Sequence, residues 1–78
     1  MTKPPVYIFF DDVIREYRQY YGEEYEMIML KNLKKYFRTF SKTSKIIIIT
    51  NQNISEITDL FLQKGIFRFI ETISNSVI

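Results

Sequence analysis

The sequence contains no cysteine and no histidine. Without thiols there is neither a disulfide framework nor a thiolate metal site to staple so short a chain. Without imidazole there is no histidine triad, no imidazole general base and almost no zinc chemistry, so carboxylates, hydroxyls and lysines are left to carry any reaction. Glycine and proline are scarce, two of each, which argues against a disordered or low-complexity chain. Long hydrophobic runs are missing as well. The longest aliphatic stretch is the four isoleucines Ile46 to Ile49, and Met1 to Pro5 lacks the apolar core of a signal peptide. The expectation is a soluble cytoplasmic protein with no membrane partner. A net charge of +2 points by itself to neither nucleic acid nor a membrane surface.

What is present is a globular composition, 46% hydrophobic and 17% aromatic over 78 residues. Residues 1–78 are read as one domain. A single core of this size leaves a surplus of only about 3–5 kcal/mol over conformational entropy, so each large apolar face must find a partner.

After Pro4-Pro5, "VYIFF" (Val6 to Phe10) is rich in β-branched and aromatic residues and reads as a strand ended by Asp11-Asp12. Both of its faces are apolar, which favours a buried parallel strand. Val13, Tyr17 and Tyr21 recur at helical spacing and predict a short helix from Asp12 to Tyr21, closed by Gly22. A longer helix follows from about Glu23 to Phe40, with the apolar stripe Met29, Leu33, Tyr36, Phe37 and Phe40. Its glutamates stand near the start and Lys34, Lys35 and Arg38 near the end, the order that complements the helix macrodipole.

"KIIIIT" (Lys45 to Thr50) is the second and most central strand. Asn53, with Glu56 three residues on, predicts the N-cap of a third helix whose inner face is Ile57, Leu60 and Phe61 and which stops at Gly65. A turn through Phe67 to Ile70 and a third strand from Glu71 to Ser74 complete the pattern.

Strand, helices, strand, helix, strand is the pattern of a small Rossmann-like α/β fold in two or three layers, with a three-stranded parallel sheet in the order 3-2-1. In that order both right-handed crossovers fall on one face of the sheet and leave the other bare. The expectation is that oligomerisation, most simply a dimer, completes the fold.

In open parallel sheets ligands bind at the carboxyl ends of the strands. There the sequence places Asp11 and Asp12, Thr50 and Asn51, and Ser74 to Ser76. Oxygen ligands alone suit Mg²⁺, and a following helix N-terminus suits an anion. Each residue also has an ordinary role as a turn former or helix cap.

"VYIFFDD", with "LKNLKKYFRTFSKTSKIIIITNQ" bringing Thr50 39 residues after Asp11, resembles the first two motifs of the haloacid dehalogenase (HAD) phosphohydrolases. The tail "FLQKGIFRFIETISNS" is similar to the segment that follows the second motif. The resemblance implies a Mg²⁺-dependent phosphatase acting on a phosphorylated small molecule through an aspartyl-phosphate. Asp11 matches the nucleophile, and Thr50 matches the hydroxyl that binds the phosphoryl oxygens, with Asn51 beside it. Asp11 and Asp12 become the catalytic and metal-binding carboxylates.

The departures are specific. The family's general acid lies two residues after the nucleophile, where this chain has Val13, and Asp12 is one residue off. The family's lysine and further acidic ligands follow the third strand, beyond Ile78 here, and Lys64 falls too early, in a last helical turn that favours a cation anyway. A site lacking these parts is expected to be slow or inactive.

Two alternatives stand beside this reading. "FFDD" and "KIIIITNQNISEITDLFLQKGIFRFIETIS" are similar to parts of a response-regulator receiver domain, although no phosphoacceptor aspartate ends a middle strand and Glu71-Thr72 replaces the expected Lys-Pro. The other is a non-catalytic interaction or assembly module. Its support is the basic stripe Lys31, Lys34, Lys35, Arg38 and Lys42, which could meet phosphates but at this spacing reads first as the solvated side of a helix.

Overall fold

The computed structural model describes residues 2–75. They form an α/β fold: β1 (Pro5–Phe9), α1 (Phe10–Tyr21), a 3₁₀ turn (Gly22–Glu24), α2 (Tyr25–Phe40), β2 (Lys45–Ile49), α3 (Ile54–Gln63), a second 3₁₀ turn (Phe67–Phe69) and β3 (Ile70–Ser74). The sheet is three-stranded, parallel and ordered β1-β2-β3, which is the expected 3-2-1 seen from the opposite edge. Val6 pairs with Ile46 and Phe9 with Ile49 on one side of β2, while Ile48 pairs with Ile73 and Ile49 with Ser74 on the other. The register slips between Ile46 and Ile47, leaving Glu71 as the extra residue of a bulge in β3.

One face of the sheet carries the core. Ile46 and Ile48 of β2 and Ile70 of β3 meet Met29, Leu30, Leu33 and Phe37 of α2 and Ile57 and Phe61 of α3, all buried. Both crossovers therefore lie on the same side, and the architecture is two-layered. The opposite face is open: Tyr7 is 49% and Phe9 53% exposed, with Ile47 and Thr72 beside them in register.

Two local differences from the sequence reading have packing causes. The strand ends at Phe9 and not Phe10, because Phe10 turns inward as the first residue of α1 and packs edge-on against Phe61, ring centroids 5.3 Å apart. On α2 the buried stripe takes Leu30 in place of Tyr36 and Phe40, which lie exposed and pack on each other at 4.5 Å. On α3, Ile57 and Phe61 are buried as expected and Leu60 is half-buried.

The direction of α1 matters for the site. A parallel crossover requires α2 to run against the strands, and α2 ends at the amino edge of the sheet, where Lys3 Nζ donates to the Ser41 carbonyl at 2.7 Å and Lys45 N to the Pro4 carbonyl at 2.9 Å. Helix α1 is antiparallel to α2. The two are joined by a tight turn and bridged by Arg18 to Tyr25 Oη at 3.1 Å and by Asn32 to Tyr17 Oη at 3.2 Å. It follows that α1 continues in the direction of β1 and stands above the carboxyl edge, consistent with a long molecular axis of 42 Å.

Candidate functional site

Asp11 is the second residue of α1, where a carboxylate meets the positive end of the helix dipole. β1 passes into α1 without a loop, so the side chain is aimed along the carboxyl edge towards the end of β2. There Thr50 Oγ1 donates to Asp11 Oδ1 at 2.6 Å, the backbone N–H of Asn51 donates to Oδ2 at 2.8 Å, and Gln52 Nε2 donates to Oδ1 at 3.2 Å. The Thr50 hydroxyl also accepts the Gln52 backbone N–H at 3.0 Å. Thr50 is 2% exposed and is the one buried polar residue among those described. Its hydroxyl is satisfied both as donor and as acceptor, which is the condition for burying it without penalty.

The Asp11 carboxyl titrates below its ordinary value. Partial burial pushes it up, but the three hydrogen bonds from Thr50, Asn51 and Gln52 stabilise the ionised form and prevail. The third strand closes the arrangement. Thr50 N donates to the Ser74 carbonyl at 3.0 Å, and Asn75 Nδ2 donates to the carbonyls of Thr50 at 2.7 Å and Gln52 at 3.1 Å. Asn53 caps α3 by accepting the Glu56 N–H at 3.2 Å, as its spacing predicted.

Of the residues singled out in sequence, Asp11, Thr50 and Asn51 come together. Asp12 does not join them: its carboxylate is exposed and pairs with Arg15 Nη2 at 2.9 Å, one helical turn away. Ser74 reaches the site through its backbone carbonyl, while Ser76 lies outside the described residues. Val13, two residues after Asp11, is half-buried against the core. Gln52 is the contributor that sequence reasoning did not assign, and the unbroken polar run Thr50-Asn51-Gln52 was its signal. Asn75 lies within the Ser74 to Ser76 stretch placed at this edge in sequence, and it contributes through its side-chain amide.

The donor chemistry suits a hard, oxygen-seeking ion only in part. An ionised carboxylate has about four acceptor positions, and three on Asp11 are taken by hydrogen bonds, leaving one on Oδ2. Among the described residues no group of three or more acidic, histidine or cysteine side chains is placed to hold a metal. Mg²⁺ commonly keeps several waters and takes one or two carboxylates. Asp11 and, once released from Arg15, Asp12 are the residues that would hold it.

The basic stripe Lys31, Lys34, Lys35, Arg38 and Lys42 lies on exposed surface. No helix among the described residues is long and apolar enough to cross a membrane. Comparison of the chain with protein-family profiles, with curated proteins and with solved structures found no match.

Proposed function

We propose that this chain is a reduced HAD-like domain that binds a phosphate ester at the carboxyl edge of its sheet and hydrolyses it slowly. The observation that carries this reading is the 2.6 Å contact between Asp11 and the buried Thr50 hydroxyl, from the ends of adjacent parallel strands. Thr50 Oγ1 and the Asn51 N–H would pass from the Asp11 carboxylate to the phosphoryl oxygens as substrate enters. Asp11 Oδ2 would attack phosphorus, forming a carboxylate–phosphorus bond as the bond to the leaving oxygen breaks. Water would then cleave the aspartyl-phosphate, so that one ester and one water give one alcohol and one phosphate. A bound Mg²⁺ would neutralise phosphoryl charge. With Val13 at the acid position, the leaving oxygen must take its proton from solvent, which is why the turnover is slow.

Thermal unfolding with and without millimolar Mg²⁺ and beryllofluoride, on this protein and on Asp11→Asn, tests the reading. A ligand at 100 times its Kd stabilises by about 2.7 kcal/mol, a shift of many degrees in so small a domain. The expected result is a shift that Asp11→Asn abolishes; no shift in either protein would reject it.

The open sheet face supports a second reading, an assembly role that does not depend on catalysis. Tyr7 and Phe9 are about half exposed on an edge strand whose outer backbone groups have no partner strand among the described residues. A second copy of the chain covering this face would make the protein a dimer.

A further inference from the structure

We propose that Arg15 is the phosphate-binding cation of this site, held in reserve by Asp12 until an anion arrives. The inference rests on the phosphate-site reading above and assigns that site its positive charge. No lysine contacts Asp11, Thr50 or Asn51 among the described residues, so the donors facing the site are a hydroxyl, a backbone N–H and a side-chain amide. Such donors can orient a phosphate but neutralise none of its formal charge.

Arg15 is in position to do so. At about 100° per residue it lies about 40° from Asp11 and about 60° from Asp12 around α1, one turn above both. Because side chains on a helix lean towards its amino end, a guanidinium at this position hangs back over the first turn, and the contact with Asp12 Oδ1 at 2.9 Å shows that it does. Since α1 stands above the carboxyl edge, that turn is the one facing Thr50 and Asn51.

The present partner is weak. Both side chains are largely exposed, 72% for Arg15 and 59% for Asp12, and an exposed pair of this kind contributes little. A phosphate dianion offers a guanidinium two parallel hydrogen bonds and more charge, so moving from Asp12 to the anion is favourable. The same move frees the Asp12 carboxylate. Arg18, two turns above Asp11, is engaged differently: it donates to Tyr25 Oη and lies over that ring at 4.9 Å.

The test is titration of the protein with inorganic phosphate, followed by ³¹P NMR, in variants at Arg15, Arg18, Asp12 and Thr50. Arg15→Gln should weaken phosphate binding by about tenfold, the scale of a charge-assisted hydrogen bond. Arg15→Lys should fall between it and the parent because the paired geometry is lost, and Arg18→Gln should change nothing. Asp12→Asn should tighten binding, and that gain should vanish in the Asp12→Asn/Arg15→Gln double variant. A gain that persists without Arg15 would be a general charge effect and would overturn the proposal. So would Arg15→Gln binding as well as the parent while Thr50→Val abolishes binding and Thr50→Ser retains it, a result that leaves the phosphate site itself standing. No phosphate binding by the parent protein would reject the site and the role of Arg15 together.

Discussion

Asp11 is the residue on which acid should act. Its carboxyl is held below the usual range, since the hydrogen bonds from Thr50, Asn51 and Gln52 outweigh the opposing effect of partial burial. A carboxyl whose folded value is depressed contributes stability that is complete above its unfolded value, about 3.9, and is lost as pH falls through the lower folded value. Urea midpoints measured between pH 6 and pH 2 should therefore fall below about pH 4, and Asp11→Asn should flatten that part of the curve. Parallel curves for the two proteins would show that the acid sensitivity lies elsewhere. Asp11 and Thr50 were legible in the sequence because each ends an apolar run abruptly. Gln52 was not, because its value lies in where it reaches, back to a side chain 41 positions earlier; Asn75 was placed at this edge within Ser74 to Ser76, but not its role of bridging two carbonyls of the neighbouring loop.

Among the elements, helix ends are the most exposed to substitution. Both glycines adopt positive φ, 63° at Gly22 and 71° at Gly65, which side-chain-bearing residues enter only at a cost. A Cβ at Gly22 would meet nothing within 4 Å, whereas one at Gly65 would lie 3.3 Å from Lys34 Nζ. Gly65→Ala should lower the unfolding free energy by about 1–2 kcal/mol, with little extra because the end of a lysine can move. Gly22→Ala should cost about 1–3 kcal/mol, since its ψ of −138° lies outside the left-handed helical well; urea denaturation of the two variants would measure both losses. The same elements show what periodicity can and cannot say. Glycine stops and the Asn53 cap were readable because they answer local backbone needs. The choice of Leu30 over Tyr36 on α2 was not, since both fit a helical stripe and only the positions of α3 and the sheet decide between them.

At the scale of the whole molecule, the parallel sheet carries its crossover helices α2 and α3 on one side, which follows from the expected strand order together with right-handed crossovers. What covers the other side is a question of association. The assembly reading expects sedimentation velocity to show a concentration-dependent dimer, and expects Tyr7→Lys, which puts a charge on the open face, to return it to monomer. A monomer at every concentration would remove that reading and leave the carboxyl-edge site untouched.

The loopless passage from β1 into α1 has a mechanical side. A strand tied into a sheet and a helix growing directly from its end form one unbroken length of regular backbone, with Asp11 at the joint and Tyr20, 85% exposed, near the far end. The arm between them is about 14 Å at 1.5 Å per residue. A partner that pressed on the tyrosines would have no slack segment between them and Asp11, so its push would be shared between the bridges of α1 to α2 and the hydrogen bonds of Asp11 to the β2–α3 loop.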